Sequence, residues 1–590
     1  MVLNQQRRFA LFMGVLLLTQ VFTACHPKDK APTPKKKYAP GDSLFYEMAD
    51  RFIDGYLNWR PQQAVALGFH QYDGKLTDYS KASIQSERAK LLAADKQLLA
   101  IDSTTLSPRA YYRLKILHHG ILTELFNMED FDIYATNPMA YANALDVNIY
   151  IKRDFAPFPE RVKSIIAMEN NLPSVFEAAR QNLKDSLALP YVQMAIDIVS
   201  GVTDFLKGDL VTAMHDLKND TLKQQFKVSN AKAIASLVAY RDFLKKDKLP
   251  KAHLHYAIGR EKYKRMLYAV DGLTEYPEQI LAHGMSELAE EQRRFTAAAA
   301  AINPKKLPVE VYHDMQKEHA TADQLIPLAK KNLENIRQFL IDKKLLTIPS
   351  DVRVQVLASP QYLRSVSSAS MDTPGPFETK ATEAYYYITP VENNWTPQQK
   401  EDWLSQFDFY TTDNTSIHEA YPGHYMQFLH LNASSADKIE KIFGCYTFIE
   451  GWAHYTEKMM IDEGFGQGAD RLKGNKYKLA QSGDALLRLC RLCVAIKTHC
   501  EGMSVDEATK FFMDNWFQGE KPSKQEALRG TFDPQYLFYT VGKMELLSLR
   551  AEYKAKQGAN YSLQKFHDAV LDNGMPPIYL LRELLLNEKL

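Results

Sequence analysis

The chain has 590 residues, 45% hydrophobic, 24% charged and 11% aromatic, which excludes a disordered or collagen-like polymer. That length allows two or three ordinary domains or one large helical one. Its 72 Lys and Arg face 71 Asp and Glu, a formal net charge of +1, so no basic excess exists to grip a phosphate backbone and nucleic acid is not expected as a partner.

Residues 1–25 read as an export signal. Arg7 and Arg8 precede an apolar run from Phe9 to Phe22, too short for a comfortable membrane span, and Thr23-Ala24-Cys25 follows. A cysteine directly after two small residues resembles a bacterial lipoprotein signal, with Phe22 where Leu is usual. Cys25 would then be lipidated and anchor the chain in the cell envelope, at the periplasmic or outer-membrane face. Residues 26–42 form a Pro- and Lys-rich tether (HPKDKAPTPKKKYAP at its start), expected to be extended and solvated.

From residue 43 to 345 the sequence predicts a helical region. Segments such as FYEMADRFIDGYLNW and ADQLIPLAKKNLENIRQFLIDKKL place apolar residues at three- and four-residue steps, with breaks expected at Pro108, Pro157 and Pro173. Residues 346–590 open differently. DVRVQVLA, ending at Ala358, alternates valine with polar residues and predicts a strand. A Ser-, Thr-, Pro- and Gly-rich loop is expected over 365–378, then a second strand in AYYYITP, Ala384 to Pro390. Helix resumes after Pro397. The fold class is mainly α, a large helical fold with a small sheet ahead of the segment that carries the chemistry. Beyond Cys25, the cysteines are Cys445, Cys490, Cys493 and Cys500. Cys490 and Cys493 sit three apart in a helical pattern, poor geometry for a disulfide, so buried free thiols are expected.

The chemistry is concentrated in Ser416-Ile417-His418-Glu419-Ala420-Tyr421-Pro422-Gly423-His424. Helical zinc peptidases place two histidines on one helix face, with a glutamate beside the first as general base. Histidines four apart lie within about 40° of each other on an α-helix, but six apart they diverge by about 240°. Pro422 and Gly423 resolve the conflict, because the helix can widen or restart between them and return His424 to the metal. Glu450 follows in FIEGWAHY, at a distance that allows a helix, a loop and a second helix. Two His and one Glu would leave a fourth position on zinc for water. Glu450, His454 and Glu457 share one helix face, with His454 placed to orient a ligand or to contact substrate.

HEAYPGHY together with IEGWAHY resembles the bacterial DUF885 family, whose members are often exported or lipid-anchored and are usually grouped with helical zinc peptidases. The family's HEA-x-PGH element falls on His418, Glu419, Ala420, Pro422, Gly423 and His424, and its EGWA-x-Y element on Glu450, Gly451, Trp452, Ala453 and Tyr455. A third element, Pro-x-Gln followed by Tyr-x-x-Gly, corresponds to Pro534, Gln535, Tyr539 and Gly542, one residue shorter between Pro and Gln. The family's Asp-Thr-Gly-x-His element is replaced by Ala495-Ile496-Lys497-Thr498-His499, so support around the site is expected to differ.

What the resemblance implies is a metallopeptidase-like fold and one zinc ion per chain, held by His418, His424 and Glu450. Glu419 would be the general base, Tyr539 the oxyanion donor, and His499 and Arg529 further contacts to the oxyanion or to a substrate carboxylate. The AYYYITP strand, with Tyr387, could offer an edge to an extended peptide. The expected activity is hydrolysis of short peptides. Two alternatives stand beside it: a zinc amidase or esterase, and a non-catalytic binding lipoprotein of the envelope.

Overall fold

A computed structural model describes residues 40–360, 364 and 367–586. The predicted signal, Cys25 and nearly all of the 26–42 tether lie outside the described residues. The N-terminal helices include α1 (Phe158–Asn182), α2 (Leu189–Lys207) and α3 (Asp220–Phe243), which share an apolar core through residues such as Ile165, Leu172, Phe176, Val192, Val199, Leu237 and Tyr240. Phe176 and Tyr240 stack with centroids 4.5 Å apart. Burying side chains of this size contributes about 1.5–3 kcal/mol each, enough to override local signals. Pro157 caps α1, as expected of a break, but Pro173 lies inside it. There the burial of Leu172, Val175 and Phe176 on both sides of the proline carries the helix through.

The helix Pro308–Gln316 ends before Leu325–Lys343 begins, and the sheet follows. β1 (Gln355–Ala358), β2 (Ala369–Asp372) and β3 (Tyr385–Ile388) are arranged β1-β3-β2, with β1 parallel and β2 antiparallel to β3. β2 occupies part of the stretch expected to be loop. Ala369 and Met371 pack against the core and alternate with Ser370 and Asp372, but four half-buried residues are too short a pattern to stand out; pairing with β3 is what makes it a strand.

The remaining helices build the site: α4 (Phe409–Glu419), α5 (His424–Ala433), α6 (Tyr446–Asp462), α7 (Arg471–Ile496), α8 (Glu520–Phe532) and α9 (Phe538–Gln557). They share the largest core, which includes Phe448, Trp452, Tyr455, Leu486 and Phe538 and also takes Leu333, Ile336 and Leu340 from before residue 345. α6 and α9 cross backbone to backbone: a Cβ on Gly451 would stand 2.5 Å from Gly542 Cα, and one on Gly542 would stand 2.1 Å from the Thr447 carbonyl oxygen. Two glycines of the family elements therefore meet at one crossing. Cys445, Cys490 and Cys493 are buried free thiols, and Cys500 is a half-buried one. Among the described residues no helix is long and apolar enough to cross a membrane.

Candidate metal centre

α4 starts where Asp408 accepts hydrogen bonds from the backbone N–H groups of Tyr410 and Thr411, and it ends at Glu419. The helix then breaks and restarts, and α5 begins at His424. In the turn between them the Gly423 N–H donates to the Ile417 carbonyl at 2.9 Å, and a Cβ on Gly423 would lie 1.7 Å from the His418 carbonyl oxygen. No residue but glycine fits there. The Pro422 carbonyl accepts from Trp452 Nε1 at 2.9 Å, which ties the turn to α6.

The restart brings the two histidines together, their rings perpendicular with centroids 4.9 Å apart. His418 Nε2 and His424 Nε2 each stand 3.5 Å from the same oxygen, Glu450 Oε2. One ligand atom from each of the three residues lies within 4.8 Å of the others. Glu450 Oε2 is buried with no hydrogen-bond partner. A buried oxygen left unpaired between two imidazole nitrogens is what a cation would satisfy. The two His–Glu separations suit zinc as well, because N and O ligands at about 2.0–2.1 Å in a tetrahedron are about 3.4 Å apart.

The electrostatics point the same way. Burial alone would depress His418, but Glu450 and Glu457 outweigh it and push the imidazole up to about 10. Burial alone would raise Glu450, but His424 and His418 outweigh it and hold the carboxyl well below the usual range. The cluster thus calls for a positive charge, either a proton or a metal ion. Glu419 is half-buried beside it. Burial raises its carboxyl, and the two histidines only partly offset the rise. A carboxylate shifted up toward neutrality is a better proton acceptor for catalysis.

Tyr539, half-buried at the start of α9, lays its ring nearly parallel to that of His418, 6.4 Å away. Burial raises its phenol, so it stays protonated and able to donate. Tyr446 meets it edge-on at 5.8 Å, and the Arg491 and Arg529 guanidiniums stand 5.4 and 6.0 Å from its ring centroid. Arg491 is bound to Glu526 through two hydrogen bonds; Arg529 pairs with Asp533 and remains partly exposed.

Three expected contacts are not placed at the cluster. His499 is fully buried after α7, where its Nε2 bonds the Gly530 carbonyl at 2.8 Å and its ring stacks on Tyr263. Its partners are core groups and none belongs to the centre. His454 is 0% exposed and has no surface to offer a substrate; its Nδ1 bonds Glu457 Oε2 at 3.1 Å instead. β3 is the middle strand, paired on both sides, so its backbone offers no free edge, and Tyr387 lies buried against Tyr385. The neighbouring Tyr386 is the one turned toward the site helix, its hydroxyl 3.3 Å from Ser416 Oγ.

The sequence reading assigned no role to Glu457, Arg488 or Lys543. Glu457 is 0% exposed, accepts from His418 Nδ1 at 2.7 Å and faces Arg488 at 3.4 Å. Lys543 Nζ lies 3.5 Å from His454 Nε2. The available signals were a lone arginine inside the apolar run Leu486-Leu487-Arg488-Leu489 and a lysine directly after Gly542.

Comparison with solved structures places the whole architecture. A candidate lipoprotein of unknown function from Shewanella oneidensis superposes with a TM-score of 0.76 at 23% identity, over 92% of this chain and 99% of its own. A candidate lipoprotein from Colwellia psychrerythraea gives 0.75 at 17% identity, over 93% and 99%. At these identities the likeness is one of fold. No curated protein matches the chain. The sequence profile described as bacterial protein of unknown function (DUF885) matches residues 61–585, most of the chain and all of the metal centre, and the protein belongs to that family.

Proposed function

We propose that this protein is a zinc-dependent hydrolase acting on peptide bonds in short peptides. The observation that carries the reading is Glu450 Oε2, buried, unpaired and equidistant from two imidazole nitrogens. His418, His424 and Glu450 would hold the ion; what zinc supplies when bound is Lewis acidity, which polarises a carbonyl and acidifies water to near pH ~7. Glu419 takes a proton from the attacking water on its carboxylate and delivers it to the leaving nitrogen as the carbon–nitrogen bond breaks. The Tyr539 phenol donates a hydrogen bond to the oxygen that gains charge. Arg529, partly exposed beyond the Tyr539 ring and paired with Asp533, would meet a substrate carboxylate.

We further propose that Cys25 anchors the protein in the cell envelope, a reading supported by the description of both structural neighbours as candidate lipoproteins. The decisive experiment is metal analysis of the chain without residues 1–25, which keeps every described residue. About one zinc per chain, lost in His418→Ala and in Glu450→Ala, supports the centre and justifies a peptide-library screen with Glu419→Gln as the inactive control. No zinc in the parent, even when supplied, overturns the hydrolase and leaves the non-catalytic binding lipoprotein.

A further inference from the structure

The two histidines of the centre are held from behind in different ways. His424 Nδ1 faces only the neutral Gln427 Oε1, at 3.5 Å. His418 Nδ1 ends on Glu457, a carboxylate sealed from solvent and reached by groups from two other helices and from its own. Glu457 Oε1 accepts from His418 Nδ1 of α4 at 2.7 Å and faces Arg488 Nη2 of α7 at 3.4 Å. Glu457 Oε2 accepts from His454 Nδ1 of α6 at 3.1 Å, and His454 Nε2 in turn faces Lys543 Nζ of α9 at 3.5 Å. Arg488 is itself held by Asp484, which accepts from Asn414 Nδ2 on α4 at 2.5 Å.

An ionised carboxylate only accepts hydrogen bonds, so each imidazole facing Glu457 must present an N–H at Nδ1. A neutral ring protonated there keeps its lone pair on Nε2. On His454 that lone pair meets the Lys543 ammonium, which only donates; on His418 it is the lone pair a cation beside Glu450 Oε2 would take. One carboxylate therefore selects the tautomer of two histidines, and two cations, Arg488 and Lys543, hold the arrangement in place.

Resting on the zinc-centre reading above, we infer that Glu457 is the positioning residue of the centre. It fixes His418 in the Nδ1–H tautomer with Nε2 presented to the metal, and through His454 it couples that choice to Lys543 on α9. Such partners of ligating histidines are typically worth about 10–100-fold in metal affinity.

The test compares zinc affinity, by competition with a chromophoric chelator, for the chain without residues 1–25 and its Glu457→Gln and Lys543→Met variants. Thermal unfolding of each metal-free form is measured alongside, together with the visible spectrum after cobalt(II) substitution. Glu457→Gln is expected to weaken zinc binding about 10–100-fold and to alter the cobalt spectrum, with Lys543→Met weakening it less. Nitrogen-15 histidine NMR of the zinc-loaded parent needs no variant to fold; it should show His418 protonated at Nδ1 and ligated through Nε2. Unchanged affinity in Glu457→Gln, with only its unfolding temperature moved, overturns the positioning role while leaving the zinc centre intact. Ligation of His418 through Nδ1 does the same. A parent that binds no zinc overturns both readings and is told apart by that fact.

Discussion

Two glutamates, each 0% exposed, mark the difference between the N-terminal helices and the metal end. Glu169 on α1 accepts one hydrogen bond, from Ser229 Oγ, and its other oxygen has no partner. Burial pushes its carboxyl up to about 8, the serine offsetting only a little. Glu457 suffers the same burial, but Arg488, His454 and His418 outweigh it and hold the carboxyl well below the usual range. Equal burial thus gives a neutral acid in one core and a carboxylate in the other, and the partners decide which. Around Glu169 the N-terminal core is apolar packing with a few buried neutral polar groups such as Ser229 and Asn230, and none of them is a charged partner for the carboxyl. The metal end is organised around charges that the fold keeps ionised.

The sharpest way to exploit this contrast is Glu419→Gln, which is expected to cut hydrolysis about 10²–10⁴-fold while zinc stays bound. Substitutions around Glu169 should leave catalysis alone; if they did not, the division between the two regions would fail. Next in size is acidification. Proton and metal compete for His418 Nε2, which is pushed up to about 10 in the absence of metal. Zinc affinity should therefore fall about tenfold per pH unit as pH drops below about 10, measurable by chelator competition across pH.

Gly451→Ala should follow, at about 1–3 kcal/mol of stability, since its methyl group must enter the α6–α9 contact; denaturant unfolding reads this directly. Glu169 offers a stability test that leaves the candidate site alone. Its folded pKa of about 8 lies above the unfolded value of 4.5, so its contribution is fully present below the unfolded value. That contribution is lost as pH rises through the folded value, at up to about 1.4 kcal/mol per unit. Glu169→Gln should remove that decline, and parallel stability curves for parent and variant would show that the carboxyl is not neutral in the fold.

The meeting of the two histidines was legible because the pattern is local: His418, Glu419 and His424 lie within seven residues, and Pro422-Gly423 signalled the interruption that the helix restart provides. The strands holding Val356 and Tyr386 were legible from their texture, whereas β2 was not, because its alternation spans only four residues inside a Ser- and Thr-rich stretch. Spacing put Glu450, His454 and Glu457 on one face but could not say which of them is sealed in the core. His454 therefore looked available to substrate when it is buried behind the ligands. Arg488 and Lys543 were hidden for the opposite reason, since charged residues on helices ordinarily face water. The replacement at Ala495 also becomes intelligible. That position lies in the core at 0% exposure, and the buried acid behind His418 comes from α6.

The contact between Gly451 and Gly542 has a consequence for anyone redesigning the candidate site. Glu450 adjoins one glycine, and Tyr539 lies a single turn before the other. Between these two side chains there is no loop or flexible packing to absorb an error, only two backbones in contact. A library aimed at new substrates should leave that crossing untouched and diversify the partly exposed wall around Arg529. Variants that wedge the helices apart would misalign base, ligand and phenol together, and screening would register them as dead rather than as altered in preference.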